Sequence, residues 1–480
     1  MKVLVANRGE IACRILRTLK EMAVPSVAVF TEPDENAPHV HLADEALALG
    51  KPDRYLSAEA LVDAARKSGA TAVHPGYGFL SQCAAFVRAC EAAGLTFIGP
   101  GAESMEMLGD KRASRAAATR LGIPLVPGAQ EADNPAVAKE SAEKLGYPVL
   151  LKAAGGGGGR GMRLVRSRDE LAEAHEAAKR EAKASFADDR LILEKYISPA
   201  RHVEVQILGN GRDVVALGER ECSLQRRYQK VIEEAPASRI GAETRRAMFD
   251  AAARLGRDAK YRSAGTVEFL VSADGSFYFL EVNTRLQVEH PVTELITGID
   301  IVKAQVEVAQ GGSLPEAVAP RGHAIEARLN AEDPYHDFLP QAGPILMLQW
   351  PNRPGVRIDS GIREGQEIST NYDSLLAKII AWGADRESAR RRLVETLREI
   401  TLLGIMTNQS FLLQLLESDA FRKGDTFTTT LEEREWPEPP LPEEILSAAR
   451  RWIASRPAPQ NGSAALPTPW DSLGGFRVGS

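Results

Sequence analysis

The sequence predicts an α/β protein that passes into α+β sections, and three observations carry the prediction. Short β-rich runs alternate with helical patterns through residues 2–99, the order expected of a parallel sheet covered by helices. A strand at 147–152 then runs into five consecutive glycines, 155–159. Two further strands, 265–271 and 277–283, place Glu268, Glu281 and Asn283 among apolar residues, so that their polar groups can share one sheet face.

The first section, 1–110, sets strands at 3–6, 26–30, 71–74 and 96–98 against helices at 11–22 and 58–67. Ser57 is a suitable N-cap for the second helix and Gly69 a suitable stop. Where a dinucleotide fingerprint would stand after the first strand, the chain reads Asn7-Arg8-Gly9-Glu10, which demotes nicotinamide chemistry. The second section, 111–310, contains a compact lobe at about 132–197 built as strand, glycine loop, strand, helix, strand. The third, 321–435, mixes strands and helices, one over 386–400 with Asp385 as its cap. The tail, 436–480, is Pro-rich. It holds an amphipathic helix over 442–454, with Ile445, Leu446, Ala449, Trp452 and Ile453 on one side, and a linker over 456–469.

Composition narrows the function classes. A chain of 480 residues that is 44% hydrophobic can bury several cores. Its net charge of −6 is that of an ordinary soluble protein and makes nucleic acid a poor default ligand. Cys13, Cys83, Cys90 and Cys222 lack metal-type pairing and read as reduced thiols in a cytoplasmic protein. No apolar run is long enough for a membrane span, and the strand that follows Met1 leaves no room for a signal peptide.

Three clusters carry chemistry. The glycines read either as a flexible loop or as a lid whose backbone N–H groups approach phosphates. Lys152, just before them, favours phosphate, although no Walker A motif follows. Glu268, Glu281 and Asn283 read as edge polar groups or as oxygen ligands for Mg²⁺, and the nearby lysines favour the metal. In the polar run 283–290, Arg285 offers a planar fork for bicarbonate or a carboxylate, and Glu289 a base.

Taken in this order, the clusters resemble the ATP-grasp superfamily and, within it, the biotin carboxylases. The resemblance covers about the first 435 residues. It is carried by Asn7-Arg8-Gly9-Glu10, His74-Pro75-Gly76-Tyr77-Gly78-Phe79, Gly109-Asp110-Lys111, the run 152–162, Glu194-Lys195-Tyr196, Arg201-His202-Val203-Glu204, Gln225-Arg226-Arg227, Glu233-Glu234-Ala235-Pro236, the run 281–294, Arg328-Leu329-Asn330 and Tyr372-Asp373-Ser374.

The resemblance implies a Rossmann-like N-terminal domain, an ATP-grasp domain with a glycine-rich lid and a C-terminal biotin carboxylase domain. The activity implied is that of an ATP-dependent C–N ligase. Lys111 and Lys152 would hold ATP phosphates under Gly158 and Gly159. Glu194, Lys195, Tyr196 and Ile197 would read the adenine, with His202, Gln225 and Tyr228 near the ribose and phosphates. Glu268, Glu281 and Asn283 match the ligands of Mg²⁺ or Mn²⁺. Lys230, Arg285, Gln287 and Val288 match the bicarbonate site, Glu289 the general base, and Arg328 the cation facing the biotin ureido oxygen. Tyr77 and Gly78 fall beside the biotin. Two positions depart from the pattern: Tyr228 stands where His is usual, and Gln82 where Glu is usual, near the biotin entrance.

The implied partners are a biotin carboxyl carrier protein or domain, a carboxyltransferase subunit and a second copy of the chain, met through the helix bearing Arg14, Arg17 and Glu21. The chain is expected not to be biotinylated itself, because its one Met-Lys pair is Met1-Lys2. The rival readings are another ATP-grasp ligase, such as one making carbamoyl phosphate, and a catalytically silent nucleotide-binding scaffold.

Overall fold

Residues 1–155, 161–440, 443, 446, 447, 450 and 451 are described by the structure, a computed structural model. The lid positions Gly158 and Gly159, the linker at 456–469 and much of the helix expected over 442–454 lie outside them.

Five short strands form a parallel sheet in the order Glu45–Gly50, Ser26–Thr31, Val3–Val5, Ala72–His74, Thr96–Phe97. Helices return the chain between them, among them Gly9–Glu21 and Ala58–Lys67. Ser57 caps the latter by accepting from the Ala60 N–H at 3.2 Å. The strand order reverses between Val3–Val5 and Ala72–His74, so the loops leaving these strands diverge and open a crevice at their carboxyl ends. Asn7 ties the two loops together, its Nδ2 donating to the carbonyls of Pro75 at 2.7 Å and Tyr77 at 2.6 Å.

The small lobe is a four-stranded antiparallel sheet ordered Gly128–Ala129, Leu191–Lys195, Val149–Ala153, Arg163–Val165. Helices Pro135–Leu145 and Leu171–Phe186 lie against it. Their small residues Ala138, Ala142, Ala178 and Ala182, spaced four apart in each helix, pack on Val149, Leu151 and Leu193, which lets helix and sheet approach closely.

The largest element is an eight-stranded sheet ordered Phe277–Asn283, Arg262–Ser272, Ala200–Asn210, Val214–Arg226, Gln229–Ala235, His323–Asn330, Leu375–Gly383, Val356–Ser360. It runs unbroken from the second section of the sequence into the third, because Gln229–Ala235 pairs antiparallel with His323–Asn330. The side chains alternate as the pleat requires. Val203, Val205, Ile207, Val267 and Phe269 face an apolar core under helix Ala242–Asp258, whereas His202, Glu204, Thr266 and Glu268 face the other way. A second core joins Ile325, Ala327 and Ile379 to helices Arg386–Glu399 and Gln409–Glu417, the former capped by Asp385 on the Ser388 N–H at 2.7 Å.

The helix Gly9–Glu21 divides the charges expected to meet a second copy. Arg14 is 5% exposed and donates within its own chain to Glu294 and Asp300, both at 2.9 Å. That face of the helix packs on Glu294 and Asp300, so the Arg14 guanidinium is engaged within its own chain. Arg17 and Glu21 stay exposed. Among the described residues no helix is long and apolar enough to cross a membrane.

Candidate active site

One cavity of about 590 Å³ lies between the three sections. Its wall contains Tyr77 and Gly78 from the crevice of the parallel sheet, Lys152, Glu194, Lys195, Tyr196 and Ile197 from the small lobe, and Lys111 before them in the chain. The large sheet supplies His202, Gln225, Tyr228, Lys230, Glu268, Glu281, Asn283 and Arg328, and the loop after Asn283 adds Arg285, Gln287 and Val288.

Cross-strand register builds the polar floor. Glu281 pairs with Glu268, Glu268 with Glu204 and Glu204 with Arg220, which sets a row of charges across four strands. Burying such a row costs several kcal/mol per uncompensated charge, so the compensation must be local. Arg220, fully buried, donates to Glu204, Gln206, Thr266 and Thr293. Lys230 lies over the row, with its Nζ bonded to Glu204, at 3.0 Å from Glu268 and 2.6 Å from Glu289. Burial alone would depress the Lys230 ammonium, but Glu204, Glu268 and Glu289 together raise it well above the usual range.

Glu289 forms no part of the cavity wall and is completely buried behind it. It accepts from Lys230 on one oxygen and from Arg328 Nη2 on the other, at 3.0 Å. Burial would push its carboxyl up, yet Lys230, Arg328 and Arg220 outweigh that and hold it well below the carboxylate range. Glu289 is therefore ionised at neutral pH. Arg328 is fixed by a second carboxylate, its Nε donating to Glu233 at 2.6 Å. Burial lifts Glu233 to about 7 against the pull of Arg328.

At the other end the pairs are simpler. Lys111 meets Glu281 at 2.6 Å and Lys152 meets Glu194 at 2.5 Å. Arg115 also contacts Glu194. Lys195 turns its ammonium to the carbonyls of Gly146 at 2.8 Å and Tyr147 at 3.2 Å. Tyr228 and Arg227 form a hairpin turn with φ of +65° and +47°, a left-handed pair that usually takes Asn-Gly. Asp337 holds the turn by accepting from Arg226 and Arg227. His202 Nε2 lies 3.1 Å from Glu268.

The metal-binding trio comes together in part. Glu268 and Glu281 are register partners, and the Asn283 amide donates to Glu268 at 2.8 Å while its oxygen accepts from Arg285 at 3.2 Å. Two carboxylates and an amide oxygen are a hard-donor set that fits Mg²⁺ or Mn²⁺.

Several residues at the site were missing from the expected set. Glu204, Arg220 and Glu233 tune the charged row, and Arg115 shares Glu194 with Lys152. Lys378, fully buried, donates to the Val288 carbonyl at 2.9 Å and approaches Glu10 at 3.2 Å. Glu204 and Glu233 lay within runs that carry the resemblance, and a charge inside an alternating apolar strand, as at Glu204 and Lys378, was a further signal.

Known proteins resemble the chain over nearly its whole length. Three family models match in succession: "Biotin carboxylase, N-terminal domain" over residues 1–105, "Carbamoyl-phosphate synthase L chain, ATP binding domain" over 110–317, and "Biotin carboxylase C-terminal domain" over 326–433. A biotin carboxylase of Nostoc sp. is 45% identical over 440 residues, which are 90% of this chain and 98% of the relative. The mitochondrial methylcrotonoyl-CoA carboxylase subunit alpha of Dictyostelium discoideum is 44% identical over 99% of this chain, which spans 70% of that subunit. The chain spans 61% of the mouse counterpart. Among solved structures, the biotin carboxylase domain dimer of Hydrogenobacter thermophilus 2-oxoglutarate carboxylase, in complex with MgADP, ADP and bicarbonate, superposes with a TM-score of 0.88. It is 43% identical over 91% of this chain and 99% of that one.

Proposed function

Since the chain belongs to the biotin carboxylase family, we propose that it uses MgATP and bicarbonate to carboxylate the ureido nitrogen of biotin carried on a partner. This is the first half-reaction of a biotin-dependent carboxylase. The observation that carries the reading is one cavity with phosphate-type cations at one end and Arg285 and Arg328 at the other, with Glu289 bonded to Arg328 just behind the wall. A short-lived product of the first step can meet biotin there without passing through water.

Lys111 and Lys152 exchange Glu281 and Glu194 for ATP phosphates, and the segment 194–197 with His202, Gln225 and Tyr228 holds the nucleoside. Glu268, Glu281 and Asn283 would hold Mg²⁺ or Mn²⁺, which when bound supplies charge neutralisation at the phosphates. Arg285, Gln287, Val288 and Lys230 receive bicarbonate. Glu289 removes its proton as the bicarbonate oxygen attacks the γ-phosphoryl group, the bond to the β-phosphate breaks, and carboxyphosphate and ADP result.

The ion pairing suits Glu289 to this timing. It rests ionised with Lys230 and Arg328 held on its two oxygens, so it meets the incoming anion as a base already in place. Carboxyphosphate breaks down to CO₂ and phosphate. Arg328 then stabilises the enolate oxygen of biotin, with the released phosphate as the base for the ureido N–H.

The relatives' names differ in the final acceptor, methylcrotonoyl-CoA in one and 2-oxoglutarate in another, so the shared chemistry is the biotin step. A carrier protein or domain, a carboxyltransferase subunit and a second copy complete the proposed assembly, as the Hydrogenobacter domain dimer suggests. Arg17 and Glu21 are the charges left on their helix for that second copy.

The test is ADP release measured with and without bicarbonate and free biotin, beside carboxybiotin formed from labelled bicarbonate. The expected result is ATP cleavage that needs bicarbonate and rises with biotin. ATP cleavage indifferent to bicarbonate, or driven by ammonia instead of biotin, would overturn the reading in favour of another ligase.

A further inference from the structure

The cations around the cavity differ in what they touch. Lys111 and Lys152 each meet a carboxylate, Lys230 meets three and Arg328 two. Arg285 is held otherwise. Its Nε donates to Gln82 Oε1 at 2.8 Å, its Nη1 to Gln287 Oε1 at 2.7 Å and to the Leu286 carbonyl at 3.1 Å, and its Nη2 to Asn283 Oδ1 at 3.2 Å. All four acceptors are uncharged oxygens. They fix the plane of the fork without cancelling its charge.

Gln82 is the acceptor that comes from elsewhere in the fold. Gln287, Leu286 and Asn283 are neighbours of Arg285 in sequence, whereas Gln82 lies 203 residues away. It belongs to the loop after strand Ala72–His74, which is anchored at the strand-order reversal. Asn7 holds the Tyr77 carbonyl, and the Ser81 and Cys83 N–H groups close turns onto Gly78 and Leu80 at 3.0 and 3.1 Å. Ser81 is buried, so the neighbouring Gln82 side chain leaves from a fixed backbone. The contact therefore sets the Arg285 fork from the N-terminal sheet.

We propose that Gln82 is a positioning residue for the bicarbonate step, aiming Arg285 through a neutral acceptor so that the full guanidinium charge remains for the anion. This rests on the reading of Arg285 as the bicarbonate fork. A carboxylate in its place would aim the fork equally well but would form an ion pair with it, and a bound anion would then compete with that pair. A neutral amide separates orientation from charge compensation.

The experiment compares wild type, Gln82→Ala and Gln82→Glu by ADP release, titrating bicarbonate at saturating ATP and ATP at saturating bicarbonate. Gln82→Glu should raise the KM for bicarbonate by roughly three- to tenfold, the effect of weakening one charge-assisted contact. Gln82→Ala, which loses aim but keeps the charge, should raise it by about twofold. The KM for ATP should stay at its wild-type value in both. A bicarbonate KM in Gln82→Glu at or below wild type overturns the proposal, as does one that moves together with the KM for ATP. A wild type without bicarbonate dependence would instead remove the reading of the whole site.

Discussion

The two ends of the cavity hold their cations in contrasting ways. At the lobe end, Lys111 meets Glu281 and Lys152 meets Glu194 on the cavity wall. At the other end, Lys230 and Arg328 are locked into a buried network in which Glu204, Glu233, Glu268 and Glu289 each have a fixed place. The lobe-end lysines can exchange a carboxylate for a ligand's phosphates without leaving a bare charge behind, since Glu194 keeps Arg115 when Lys152 turns away and Glu281 is a quarter exposed. A buried network cannot be exchanged so readily, because removing one member strands a charge away from water. The lobe end is thus built for turnover of a large polyanion, and the sheet end for preorganised chemistry on a small one.

The largest effect that would break this contrast is a split between the two half-reactions. Glu289→Gln should lower both bicarbonate-dependent ATP cleavage and biotin carboxylation by roughly a thousandfold, the scale of a lost general base. Arg328→Ala should lower carboxylation by about a hundredfold, near 3 kcal/mol. Its ATP cleavage without biotin should fall much less, though not by zero, because Arg328 also donates to Glu289. ADP release set beside carboxybiotin formation measures both. Equal loss of the two activities in Arg328→Ala, with ATP binding intact, would assign Arg328 to the bicarbonate step.

A smaller effect tests the exchangeable end. Lys152→Met should raise the KM for ATP by about tenfold, in line with one lost charged contact, and leave the KM for bicarbonate unchanged. Parallel shifts in both constants would mean that the two ends act as one network.

The smallest effect concerns stability and pH. Glu233 sits at about 7 in the folded chain against 4.5 as its ordinary value. Between those values the folded state keeps a proton that the unfolded state has released. The contribution of this group is therefore full below about 4.5 and is lost as pH rises toward 7, by at most roughly 3 kcal/mol. Urea unfolding at pH 5 and pH 8 should show Glu233→Gln gaining relative to wild type at the higher pH. A difference between the two proteins that does not change with pH would place Glu233 outside this titration.

Much of the site was legible because its residues interrupt a period. Glu268 and Glu281 break apolar alternation in strands, and a charge there must meet a ligand or a partner. Lys152 was legible from its place before the glycines. The network around these residues was not. Glu204, Glu268 and Glu281 become neighbours through strand register, which includes bulges between Gln206 and Ile207 and between Glu268 and Phe269, and no local pattern encodes such bulges. Lys378 reads as an oddity in an apolar strand until its contact with the Val288 carbonyl, 90 residues away, is seen. Gln82 read only as a departure near the biotin entrance, whereas its side chain fastens Arg285. The inward turn of Arg14 was hidden for the same reason, since its partners Glu294 and Asp300 come from distant sequence.

The unbroken eight-stranded sheet has a consequence for how the chain can be divided. Proteolysis or truncation between residues 311 and 322 would strip Gln229–Ala235 of its neighbour His323–Asn330. It would expose the unpaired peptide groups of residues 232–235 and their partners 324–327, the kind of strand edge that templates self-association. The second and third sections, separable on paper, are one unit of structure, because a breakpoint between them cuts through a sheet that both must complete.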